Sequence, residues 1–303
     1  MSEDKQTKGG ILFVITAGIC WGIISLFVNS LSRAGFDTLS IVAMRTWCAS
    51  ILMFLYLLIF KRKLLKIDLK DIWMFVGTGV LSLTFFTYCY FTSIIETGAA
   101  VAVVLLYTSP IFVMVMSAVF FKEKITSTRI VAIFLTFLGC VLITGLIGSS
   151  DKLSFRGILL GLGAGFGYAL YSIFGGYAVK KYSSLTISFY TFVLCGIAML
   201  FIYPPGKVAA LAKGTLGASP AGKGAVTVIL LVVGISLICT VIPYITYTIG
   251  LARMEKSKAA VLVTIEPLVG TLIGFVLFGE NINLFKVLGI LMIFAAIIIS
   301  GRE

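Results

Sequence analysis

Apolar and polar positions alternate in long blocks along this chain. Residues 9–32, 72–95, 97–121, 130–150, 157–179, 182–206 and 224–252 contain no Asp, Glu, Lys or Arg. Three more apolar windows carry one charge each: 38–60 with Arg45, 259–279 with Glu266, and 282–301 with Lys286 near its start. A helix of about 20 apolar residues crosses a ~30 Å hydrocarbon core, so each window is long enough to span a bilayer. The pattern predicts an all-α integral membrane protein of ten transmembrane helices, multi-pass in the cell membrane.

Composition agrees with this reading. Of 303 residues, 60% are hydrophobic and 12% charged, where soluble domains average about 45–50% and about 25%. Ten spans leave no room for a soluble domain. The absence of His removes His-based triads, haem and zinc sites and imidazole relays together. Neither paired carboxylates nor a nucleophile with its base stand out, so no enzyme, metal or cofactor is expected. The six cysteines fall within spans without CxxC spacing and read as small apolar fillers. The apolar run after the N-terminal eight residues lacks an evident small-residue cleavage site, which argues against a removed signal peptide.

The net charge of +12 is topological. With the N-terminus placed in the cytoplasm, 16 Lys and Arg fall on the cytoplasmic side and 7 on the other, the usual bias, so both termini are expected inside. No nucleic-acid partner is implied. Nor is ATP: the segment from Gly217 to Gly224 nearly spells a phosphate-binding loop, but Gly224 stands where Ser or Thr must bind magnesium and no strand precedes it. It reads as a loop.

The two halves resemble each other. A shift of 147 lays Gly10-Ile11-Leu12 on Gly157-Ile158-Leu159, Ala17-Gly18 on Ala164-Gly165 and Ser25 on Ser172. A shift of 157 lays Tyr90 on Tyr247, Pro110 on Pro267, Phe121 on Phe278 and Glu123 on Glu280. The repeats are placed at 10–149 and 157–301. Five spans per repeat send the second half into the membrane from the opposite side, so the expectation is two inverted five-helix repeats around a central cavity, the arrangement on which alternating access rests.

These residues carry a resemblance over nearly the whole chain to the drug/metabolite transporter superfamily, in its ten-helix branch with two EamA domains. The matching features are Arg45 in the second helix, the pairs Ser109-Pro110 and Glu266-Pro267 in the fourth and ninth, and the exits Phe121 to Lys124 and Phe278 to Asn281. The resemblance implies export or exchange of small polar metabolites, often amino acids, through a cavity between the halves, with the fifth and tenth helices at the periphery.

Glu266 is the carboxylate set deepest in a span, and a charge there costs ~2.5–3.5 kcal/mol unless it faces a cavity or a partner. It is a candidate for coupling to protons or for recognising a substrate ammonium, with packing of the Pro267 kink as the plain alternative. Ser109 is its repeat partner and cannot titrate in that role. Pro110 and Pro267 should kink their helices and act as hinges that free backbone carbonyls. Arg45 reads first as a snorkelling side chain, with anion recognition or a salt bridge as the alternative. Tyr90, Tyr107, Tyr168, Tyr171, Tyr244 and Tyr247, joined by Trp21, Asn29 and Thr84, are candidate cavity residues; Tyr168 with Tyr171 and Tyr244 with Tyr247 share helical faces by their spacing. Glu123 and Glu280 end the fourth and ninth helices and read as capping, pairing or gating charges.

The leading function is therefore a secondary transporter of small polar metabolites, foremost amino acids or related amines, working by alternating access on a small-molecule substrate in the lipid bilayer, with protons as a candidate coupling ion. The alternative is a transporter or flippase of a lipid-linked carrier.

Overall fold

The structure, a computed structural model, describes residues 3–146, 154–217, 223–279, 281 and 283–302. Ten helices are long and apolar enough to cross a membrane: α1 Gly9–Arg33, α2 Thr38–Phe60, α3 Leu69–Thr97, α4 Ala99–Phe121, α5 Ser127–Thr144, α6 Phe155–Ala178, α7 Ser184–Ile202, α8 Gly224–Leu251, α9 Lys256–Phe278 and α10 Leu284–Arg302. No strand occurs among the described residues. Outward positions are large and apolar, as a hydrocarbon surround requires: Leu12, Ile51, Phe60, Phe201 and Val276 are all exposed.

Side-chain oxygens mark the helix starts. Asp37 accepts from the Ser40 N–H at 2.8 Å to open α2, and Ser154 and Ser183 accept from the Gly157 and Thr186 N–H groups to open α6 and α7. Glycines then set the packing. A Cβ on Gly18 would stand 2.8 Å from the Val263 carbonyl, and one on Gly165 would stand 2.9 Å from the Leu105 carbonyl. The first helix of each half thus lies directly on the backbone of the broken helix in the other half.

Those breaks are the central irregularity. α4 divides into Ala99–Leu106 and Ser109–Phe121, and α9 into Lys256–Leu262 and Ile265–Phe278. Pro110 and Pro267 stand in the first turn of each second piece, where the missing N–H would have had no intrahelical partner. One carbonyl beside each break is occupied by a side chain: the Thr108 hydroxyl donates to Leu105 O at 2.6 Å, and the Thr264 hydroxyl to Val261 O at 2.5 Å. A neighbouring threonine hydroxyl thus bonds one carbonyl at each break.

α3 and α8 carry a second irregularity, π-helical turns over Gly77–Thr84 and Leu237–Val241. The Thr84 hydroxyl donates to Gly79 O at 2.9 Å and the Thr240 hydroxyl to Ile235 O at 3.1 Å, each reaching five residues back.

α5 and α10 pack on each other through Gly139 and Gly289, where an added Cβ on either would meet the other's carbonyl within 2.8 Å. The connection after α7 carries a helix of its own. Pro205–Gly217 is helical, because a proline supplies the first turn and alanines fill the interior. Residues 218–222 and Glu280 lie outside the described residues.

Candidate functional site

A cavity of about 600 Å³ lies between the halves. α1 contributes Trp21, Ile24, Ser25 and Val28; α3 contributes Phe86, Thr87, Tyr90, Phe91, Ile94 and Ile95. Arg45 of α2, Leu106 at the α4 break, Tyr168 of α6, Tyr244 of α8 and Glu266 at the α9 break complete the wall, with Asp37, Thr38, Leu39 and Tyr203 at the mouth. Neither α5 nor α10 lines it. The mouth residues follow α1 and α7, so the cavity opens on the face opposite the chain ends.

The mouth is tied shut along one edge. The Tyr203 hydroxyl donates to Asp37 Oδ2 at 2.5 Å while the same carboxylate caps α2. Burial, reinforced by that bond, pushes the Tyr203 hydroxyl up to about 12, so it is a fixed donor at neutral pH.

The floor is aromatic. Trp21 packs edge-on against Tyr244 and Tyr168, at ring separations of 5.2 and 6.2 Å, and Tyr171 packs against Tyr244 at 5.1 Å. Beneath them Tyr171 and Thr248 share a hydrogen bond of 2.8 Å, and so do Tyr247 and Ser172.

Further toward the face bearing the chain ends, Glu123 joins the two halves. Its Oε1 accepts the Lys256 N–H at 2.7 Å, and its Oε2 accepts the Ser257 hydroxyl at 2.6 Å. Glu123 therefore caps α9 and pairs with neither Lys122 nor Lys124; α5, the next helix, is capped by Thr126 instead. Arg129 donates to the Ser257 hydroxyl at 3.0 Å and pairs with Glu255. The Lys256 ammonium lies over the Phe121 ring at 5.1 Å. On the same face Lys181 donates to Asp71 at 2.7 Å, which pushes the lysine up, and Tyr182 donates to the other carboxylate oxygen.

The sequence candidates divide. Glu266, Tyr90, Tyr168, Tyr244 and Trp21 line the cavity; Tyr171 and Tyr247 form its floor. Tyr107 and Ser109 are buried beside the α4 break and behind the wall, although Tyr107 lies within electrostatic reach of Glu266. Thr84 is buried and spends its hydroxyl on the π turn. Asn29 is exposed and off the cavity, although Ser25 and Val28 of the same helical piece line it. Arg45 does not snorkel: it is 9% exposed, faces the cavity, and its Nε has no hydrogen-bond partner. Residues that the sequence reading passed over include Asp37 and Tyr203 at the mouth and Ser25, whose buried hydroxyl is also unpartnered. The Asp at a helix start and the alignment of Ser25 with Ser172 were the available signals.

The EamA-like transporter family model matches residues 8–145 and again 155–302. The chain belongs to the EamA-like transporter family. Relatives cover it nearly end to end. An uncharacterized transporter of Archaeoglobus fulgidus is 28% identical across 96% of this chain and 95% of its own. The uncharacterized transporter YxxF of Bacillus subtilis is 24% identical across 98% and 91%. The uncharacterized inner membrane transporter YhbE of Escherichia coli is 26% identical across 87% and 80%. A solved crystal structure shares the fold at a TM-score of 0.77 with 15% identity, covering 97% of this chain and 96% of that one. This EamA-like protein is a multi-pass membrane transporter of the cell membrane.

Proposed function

We propose that this EamA-like protein is a secondary transporter that exports or exchanges small polar metabolites, foremost amino acids or related amines, by alternating access. The observation that carries the reading is Glu266. It stands half-buried in the wall of a cavity between the halves, at a helix break and in the first turn of Ile265–Phe278. A deep carboxylate that meets water only through a cavity has its cost offset there, and it offers a polar anchor in a wall otherwise mostly apolar. A cavity that opens on one face above an aromatic floor, with Glu123 and Ser257 joined on the other face, supports the alternating-access reading. By the Lys and Arg bias that open face is extracytoplasmic. Overproduction in cells challenged with toxic amino-acid analogues tests the reading. Resistance with lower internal analogue supports it; unchanged resistance across the panel together with altered envelope lipid carriers contradicts it.

A further inference from the structure

Three charged side chains reach the cavity: Asp37, Arg45 and Glu266. Asp37 is already committed, one oxygen to the Ser40 N–H and the other to the Tyr203 hydroxyl. Arg45 and Glu266 are not. Among the described residues neither side chain has a hydrogen-bond partner, and although each lies in the other's field, no ion pair closes between them. Two opposite charges that face one chamber uncompensated are complementary to a molecule that carries both signs.

Resting on the transport reading, we infer that Arg45 is the anion anchor of this cavity and that the cargo is a zwitterion, with its carboxylate on Arg45 and its ammonium on Glu266. The guanidinium is the suited group, because its planar fork meets a carboxylate through two parallel N–H···O bonds and stays charged at any working pH. Position supports the assignment. The α2 backbone at Arg45 is tied to α8 by the Ser236 hydroxyl, which donates to the Arg45 carbonyl at 3.1 Å. A simple amine leaves this buried guanidinium unpaired, and a site built to bond a polar group discriminates strongly against the analogue that lacks it. The unpartnered Ser25 hydroxyl on the same wall is a further donor for the carboxylate.

The test is counterflow into proteoliposomes of purified protein with leucine, threonine and phenylalanine, each beside its methyl ester, which keeps only the ammonium, and its N-acetyl derivative, which keeps only the carboxylate. Wild-type protein should move at least one amino acid tenfold faster than both of its derivatives. Arg45→Gln should raise the KM for that amino acid at least tenfold, and Arg45→Lys should recover part of it; elution as the wild-type species confirms folding. Because the derivative series uses unaltered protein, a misfolded variant cannot decide the result. Equal movement of a methyl ester and its amino acid, or movement of simple amines alone, overturns the inference and leaves the transporter standing. No movement of amino acids, derivatives or simple amines overturns both.

Discussion

Ser257 donates both its backbone N–H and its hydroxyl to one carboxylate oxygen of Glu123, at 3.2 and 2.6 Å. The contact joins the end of α4 in the first half to the start of α9 in the second, on the face away from the cavity mouth. An acid at a helix N-terminus answers both the orphan donors and the positive end of the helix. Hydrogen bonds to a charged group contribute about 1.5–3 kcal/mol each. Glu123→Ala should therefore lower stability by about 2–4 kcal/mol, and Ser257→Ala should cost less in that background than in the wild type, since the shared contact is already gone and the Arg129 bond to the Ser257 hydroxyl is what is left to lose. Unfolding of the three variants in detergent measures this; fully additive losses would show that the two residues act separately.

Glycine contacts at the breaks give a second expectation. Gly165→Ala would place a methyl 2.9 Å from Leu105 O and 2.6 Å from the Thr108 hydroxyl, and Gly18→Ala one 2.8 Å from Val263 O. Each should destabilise by about 1–3 kcal/mol through forced backbone shifts. Gly206→Ala, in the helix Pro205–Gly217, has open space and should not lower stability. Thermal unfolding in detergent decides, and an unshifted Gly165→Ala protein would contradict the close approach.

Glu266→Gln should abolish any dependence of flux on a pH gradient, because the amide cannot exchange a proton, while Asn29→Ala should leave flux as it was. Flux measured with and without the gradient in both variants is the check. Gradient-dependent transport that survives Glu266→Gln would remove the carboxylate from the coupling role.

Pro267→Ala restores a donor for Val263 O, whose present partner is the Glu266 N–H at 3.1 Å. The two pieces of α9 should then tend to join, slowing turnover with the fold retained. Turnover at the wild-type rate would make the break purely structural.

The ten spans were legible because charge-free runs of this length have one use in a cell membrane, and the helix breaks were nearly so. The prolines marked them to within a few residues; the offset arises because proline is tolerated in a first turn, so the break precedes it. The π turns of α3 and α8 were not legible, since a threonine that reaches five residues back looks like any other threonine in an apolar run. Which tyrosines face the cavity was equally hidden. Tyr90 and Tyr107 both stand in charge-free windows, yet helix packing puts one on the wall and the other behind it. Arg45 was misread for a related reason: its depth is written in the chain, but the cavity that makes snorkelling unnecessary exists only once α2, α8 and α9 assemble.

The most direct test of the account is efflux of labelled amino acids and amines from proteoliposomes holding the purified protein, with and without an imposed pH gradient. The account predicts flux of at least one member above that of empty liposomes, reduced by Glu266→Gln. Flux no greater than that of empty liposomes across the whole panel would contradict it.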